Sequence, residues 1–169
     1  ARRLRGSGVG LATVVGFPSG RMTTTAKDAE IFAASDNGAT EVDIVMNYAA
    51  WIEGERGPVR DELKKLVRDA HSLGLLSKII VETCFLPEEL AKDAVKLCED
   101  VRADFIKTST GFGTAGARLD LVRYWADKRR RIRIKASGGI RTLADVRSFV
   151  DAGADRIGLS SAAQVMEEL

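Results

Sequence analysis

Two lysines close consecutive strand-like segments. Lys107 follows Asp104-Phe105-Ile106 and leads into Thr108-Ser109-Thr110-Gly111, while Lys135 follows Ile132-Arg133-Ile134 and leads into Ala136-Ser137-Gly138-Gly139. A lysine at the end of a buried strand is expensive to desolvate and is usually placed there for chemistry. On neighbouring parallel strands the two ammonium groups would lie within a few ångströms of each other. Each would disfavour the other's charge, so one is expected to become a neutral amine able to attack a carbonyl carbon near pH 7. The chemistry implied is imine (Schiff-base) formation.

Side chains alternate between the two faces of a strand. Phe105, Lys107 and Ser109 therefore share one face, opposite Ile106 and Thr108, and Arg131, Arg133 and Lys135 share another, opposite Ile132 and Ile134. In Glu41-Val42-Asp43-Ile44-Val45, Asp43 lies in an apolar strand and calls for a cationic partner, which Lys107 or Lys135 can supply. Plainer readings stand beside these: Lys107 as a surface lysine at a strand end, Lys135 as one of three basic residues on an exposed face, Asp43 in a structural ion pair. Against the plain reading of Lys135 stands Ser137-Gly138-Gly139, because adjacent glycines let backbone N–H groups approach an anion closely. Gly138-Gly139 after one strand and Gly158-Leu159-Ser160-Ser161 after the next together form a candidate phosphate site. The single histidine, His71, lies on a helix ending at Gly74 and is expected to be exposed, which leaves no histidine-based triad or histidine-rich metal site. Gly16-Phe17-Pro18-Ser19-Gly20 reads as a tight loop without the spacing of a nucleotide-binding loop.

The elements that would carry these residues alternate along the chain. Strands are expected over 10–15, 41–46, 78–82, 105–108, 132–135 and 156–159, mostly as near-continuous apolar runs suited to parallel strands covered on both faces. Helices are expected over 24–35, 58–73, 87–98, 118–128 and 142–152, with a last one opening at Ser160 or Ser161. Pro58 and Pro87 mark first turns, Thr142 with Asp145 marks a cap, and Gly38, Gly74 and Gly153 mark stops. Six βα units without a linker give one domain, residues 1–169, of either a doubly wound sheet or a (β/α)8 barrel. A barrel has eight such units, so this one would be two short.

Composition narrows the class. Apolar residues make up 45% and charged residues 30%, with a net charge of +2 from 26 basic and 24 acidic residues, as in a globular protein without a nucleic-acid or acidic-membrane footprint. The basic run 128–131 has no aromatic partners and reads as a solvated helix end. Cys84 and Cys98 have no metal or redox spacing, and no apolar run approaches the ~20 residues of a membrane span, so a reduced, cytoplasmic chain is expected. The chain opens at Ala1 with a basic, Gly-rich segment, 1–8, and stops at Leu169 inside a helix-like pattern, so both ends look cut.

Taken together, the segments 12–18, 38–45, 105–113, 135–142 and 153–161 resemble the deoxyribose-phosphate aldolase family of class I aldolases, in family order and over nearly the whole chain. The resemblance implies an incomplete (β/α)8 barrel that lacks the first two strands. It implies reversible cleavage of 2-deoxy-D-ribose 5-phosphate to acetaldehyde and D-glyceraldehyde 3-phosphate, in deoxyribonucleotide catabolism. Lys107 resembles the Schiff-base lysine, Lys135 the second lysine that depresses its pKa, and Asp43 the acid that relays protons. Gly111, Gly138, Gly139, Ser160 and Ser161 resemble the phosphate cradle. Neither metal nor organic cofactor is implied, because the protonated imine is the electron sink. The partners implied are the sugar phosphate and acetaldehyde, with no nucleic acid or membrane, and a homo-oligomer is compatible with it. Family members often carry Gly where Arg133 stands, so a bulky cation is expected either to crowd the site or to fill space left by absent strands. Two other readings remain open: a Schiff-base aldolase for a related sugar phosphate, and a non-catalytic barrel fragment that binds sugar phosphate or needs a partner chain.

Overall fold

In the computed structural model, which describes residues 1–4 and 6–168, six parallel strands form one sheet in chain order. They are β1 (Ala12–Val15), β2 (Glu41–Val45), β3 (Leu76–Ile80), β4 (Phe105–Lys107), β5 (Arg133–Ser137) and β6 (Arg156–Gly158). The connections carry α1 (Thr24–Asp36), α2 (Tyr48–Ile52), α3 (Arg56–Ser72), α4 (Glu88–Asp100), α5 (Leu119–Lys128) and α6 (Leu143–Asp151), and α7 (Ala162–Glu167) follows β6. Arg5, in the basic opening segment, and Leu169, the expected end of the last helix, lie outside the described residues.

The sheet is strongly curved. Arg156 on β6 donates to Glu41 on β2 at 2.5 Å although three strands stand between them, so the six strands make a half-barrel with a concave face. The two faces differ in chemistry. The convex face presents Val42, Ile44, Ile79, Ile106, Ile134 and Ala136, all buried against the helices. Leu63, Leu66 and Val67 of α3, Ala91, Ala94 and Cys98 of α4 and Leu121, Val122 and Trp125 of α5 complete that core. Burial raises the Cys98 thiol far above its ordinary range, so this cysteine behaves as a small apolar side chain.

The strands expected from apolar runs are all present, with ends shifted by one or two residues. Local signals set most helix ends. Thr142 and Asp145 form a reciprocal capping box at the start of α6. Pro58 occupies the first turn of α3, whereas Pro87 is the N-cap of α4 and so precedes its first turn. The five-residue α2 was not expected, since it is too short to show a helical period; its one local signal is Asn47, whose side chain accepts from Ala50 N at 3.2 Å. The basic run 128–131 is tied down as well as solvated: Glu99 Oε1 accepts from the N–H groups of Arg130 and Arg131 at 2.6 and 3.0 Å, and Arg129 pairs with Asp155.

Trp125 is fully buried between α4 and α5, and its Nε1 donates to the Ala91 carbonyl at 2.9 Å. Trp125→Ala opens a cavity and removes that hydrogen bond, so urea unfolding should show a loss of about 3–5 kcal/mol. A loss below about 1 kcal/mol would mean that α5 is not anchored there.

Candidate active site

Strands β2, β4 and β5 bring Asp43, Lys107 and Lys135 together on the concave face. Lys107 and Lys135 are direct neighbours in the parallel register, and Asp43 stands two residues lower, level with Lys78 of β3. Lys107 Nζ donates to Asp43 Oδ2 at 2.8 Å, and Lys135 Nζ donates to the same oxygen at 2.9 Å. The other oxygen, Oδ1, accepts from Lys78 Nζ at 2.7 Å. Both amines therefore converge on one carboxylate, as the alternation of side chains along β2, β4 and β5 requires.

Lys78 escaped the sequence reading. It is fully buried and also contacts Glu41 Oε2 at 2.6 Å, the oxygen that accepts from Arg156. Its signal was available: Lys78 and Ile80 alternate against Ser77 and Ile79 in the same way as Asp43 and Val45 do on β2. Placing the start of the strand at Lys78 made this residue look like an entry position rather than an interior one.

Burial pushes the Asp43 carboxyl up, but Lys107, Lys135 and Lys78 outweigh it and hold the group well below the usual carboxylate range. Burial pushes the Lys135 amine below the ordinary lysine range; the nearby Lys107 and Lys78 charges act in the same direction, against the pull of Asp43. Space for the Lys135 stem depends on Gly158 of β6, where an added Cβ would stand 3.1 Å from Lys135 Cε.

Both lysines open on a cleft of about 510 Å³ whose walls include Gly111, Gly138, Gly139 and Ser160. Gly138 and Gly139 have φ of 89° and 78°, a left-handed path that a side chain would strain. Arg141 also lines the cleft, a cation that the sequence reading did not single out. Ser161 does not join the lining; it is the N-cap of α7, and its hydroxyl is turned to the Arg141 carbonyl at 3.4 Å.

Arg133 does not crowd Lys135. Its guanidinium lies 4.1 Å from the centre of the Phe105 ring, with Arg156 at 4.9 Å from the same ring, so both cations pack on that ring. His71 is exposed and away from the site, where it bonds Asp104 Oδ2 at 2.8 Å. Among the described residues, no group of three or more His, Cys, Asp or Glu side chains is arranged to hold a metal ion, and no helix is long and apolar enough to cross a membrane.

Asp43 titrates lower in the folded chain than in the unfolded one. Its contribution to stability is therefore complete above about pH 4 and is lost as the pH falls through the folded value. Asp43→Asn should unfold at lower urea at neutral pH, because three lysines lose their anion. Its stability should also fall less steeply than that of the unsubstituted chain between about pH 4 and pH 2. Parallel slopes in stepped-pH urea titrations would show that the Asp43 charge is not coupled to folding.

Comparison with known proteins bears on what this arrangement serves. Residues 1–164 match the family described as DeoC/LacD family aldolase. The deoxyribose-phosphate aldolase of Desulfitobacterium hafniense is 44% identical over 169 residues, covering 98% of this chain and 77% of that protein. Among solved structures, an aldolase designated QR15 is 44% identical with a TM-score of 0.88, covering 95% of this chain and 72% of that one. A deoxyribose phosphate aldolase from Aeropyrum pernix, described as a tetramer, is 34% identical with a TM-score of 0.88, covering 99% of this chain and 70% of that one. The two-lysine site thus sits in a chain that belongs to the DeoC/LacD family of aldolases.

Proposed function

We propose that the chain is a class I aldolase that cleaves 2-deoxy-D-ribose 5-phosphate reversibly to acetaldehyde and D-glyceraldehyde 3-phosphate, with Lys107 as the imine-forming residue. The observation that carries this reading is the single Asp43 oxygen held between two lysine amines, 2.8 and 2.9 Å away, at the floor of a glycine-walled cleft. The names of relatives more than 40% identical to the chain supply the substrate.

In the proposed reaction, Nζ of Lys107 adds to C1 of the open-chain sugar, and loss of water leaves an iminium. The C2–C3 bond breaks, and its electron pair moves through the enamine towards nitrogen. The proton of the C3 hydroxyl passes to a base, and C3 becomes the aldehyde carbon of glyceraldehyde 3-phosphate. C2 is then reprotonated, and water hydrolyses the iminium to release acetaldehyde and restore the amine. The iminium is itself the electron sink, so the proposed chemistry draws on no metal or organic cofactor. A carboxylate held as low as Asp43 takes up protons reluctantly, so it serves as the anion that fixes both amines, while Lys135 exchanges protons more readily. Gly111, Gly138, Gly139 and Ser160 would receive the phosphate, whose binding energy positions the sugar.

The same reading takes residues 1–169 as one domain and the six strands as the third to eighth of a (β/α)8 barrel. Strand order and curvature support this, as does Val14 on the edge strand β1, which lies level with Asp43 and is 41% exposed. It also takes the protein as cytoplasmic, working on small molecules, with self-association of the kind described for the Aeropyrum pernix relative. Two βα units taken from a longer relative and joined ahead of β1 should raise the melting temperature by several degrees; no change would mean that the β1 edge is satisfied in another way.

Borohydride trapping tests the chemistry. Incubation with acetaldehyde, or with deoxyribose 5-phosphate, should leave a reduced adduct on Lys107, and Lys107→Leu should abolish it. Lowering of the Lys135 amine favours one second reading, in which the two lysines exchange roles. An adduct mapped to Lys135 would establish that reading, and a folded chain with no adduct would overturn both.

A further inference from the structure

Glu82 is an unusual residue that the proposed chemistry does not use. It follows β3 at the cleft end of the sheet and is 1% exposed. Its φ of 51° places it in the left-handed region, which costs a non-glycine residue of order 1 kcal/mol. Its carboxylate has no ion-pair partner among the described residues; its partners are Thr110 and Cys84. A buried carboxylate on a strained backbone persists only where its surroundings require that conformation.

Those surroundings are the loop that leaves the Lys107 strand. Both Glu82 carboxylate oxygens accept from Thr110 N, at 3.3 and 3.2 Å, and Oε2 also accepts from Thr110 Oγ1. Thr110 Oγ1 in turn accepts from Phe112 N at 3.0 Å. One hydroxyl thus passes the hold of the carboxylate on to the far side of Gly111. The backbone reinforces the strap, since Val81 N donates to Lys107 O at 3.1 Å and Thr83 N donates to Thr108 O at 3.0 Å. Gly113 closes over the carboxylate so tightly that a Cβ there would run into Cys84 Sγ and stand 3.2 Å from Glu82 Oε1. The segment wrapped around Glu82 is therefore 110–113, and it contains Gly111, which walls the cleft.

We infer that Glu82 is a positioning residue: its carboxylate, through Thr110, sets the path of the 110–113 loop and so holds the Gly111 wall where the phosphate of the substrate must dock. This inference rests on the reading of the cleft as a phosphate site. It separates two parts of one loop by function. Lys107 is fixed by the sheet register and by Asp43, whereas Gly111 depends on a carboxylate reaching over from the segment that follows β3.

The test compares Glu82→Gln, Thr110→Val and Thr110→Ser, with folding verified by circular dichroism, on deoxyribose 5-phosphate and on deoxyribose. Glu82→Gln keeps the size of the side chain but leaves one acceptor oxygen where the carboxylate has two. Thr110→Val removes the hydroxyl that passes the bond to Phe112 N. Both should raise KM for the phosphorylated sugar about tenfold, as expected for a lost charge-assisted hydrogen bond, with a smaller change in kcat. The kcat/KM preference for phosphorylated over plain sugar should fall by a similar factor, and Thr110→Ser, which keeps the hydroxyl, should retain it. Equal losses on both sugars, no loss on either, or a Thr110→Ser variant as impaired as Thr110→Val would overturn the inference. Absence of any borohydride adduct in the unsubstituted chain would instead remove the aldolase reading. The positioning role would then be read by titration with inorganic phosphate: weaker binding in Glu82→Gln upholds it, and unchanged binding overturns it.

Discussion

The rest of the site depends on one buried carboxylate. Three lysines, Lys78, Lys107 and Lys135, point into the concave face, and Asp43 is the anion they share. Buried cations without a counter-charge would be strongly unfavourable, and a buried carboxylate without cations equally so. Together the four groups fix one another. Asp43 keeps the two amines at the cleft floor within reach of one oxygen, and Lys78 occupies the other oxygen, so the carboxylate cannot rotate away without breaking a third ion pair.

The fold keeps this charged cluster apart from the apolar core. On the convex face the strands offer Ile and Val to the helices, and nearly all of the apolar core lies there. On the concave face Glu41 is lowest in the register, Asp43, Lys78, Phe105 and Arg133 share the next level, and Lys107 and Lys135 stand two residues above them at the glycine-walled cleft. The ion pair of Arg156 with Glu41 links β6 to β2 across the concave face. The apolar core and the charged cluster thus lie on opposite faces of the same strands, which is what two-residue alternation permits.

Legibility in the sequence followed the range of the interactions. Strands and most helices were readable because their signals are local: apolar runs, the Thr142–Asp145 box, and glycines at helix ends. Lys107, Lys135 and Asp43 were readable because each is a charge in an apolar strand and must find a partner. Lys78 and α2 were missed, the first because a strand start was placed at it, the second because five residues cannot display a helical period. Ser161 belonged to a motif that read as a unit, yet only Ser160 faces the cleft.

The alternating βα order, the strand-forming segments and the residue types that a carbonyl-attacking site needs are all written in the order of amino acids. Those follow from short-range propensity and from the cost of burying charge. Which lysine sits on which carboxylate oxygen, the stacking of Arg133 on Phe105 away from Lys135, and the bond from Glu82 to the loop beyond Lys107 emerge only when the strands pack together. These outcomes depend on sheet curvature and on the register between strands some 30 to 90 residues apart, distances that no local pattern spans.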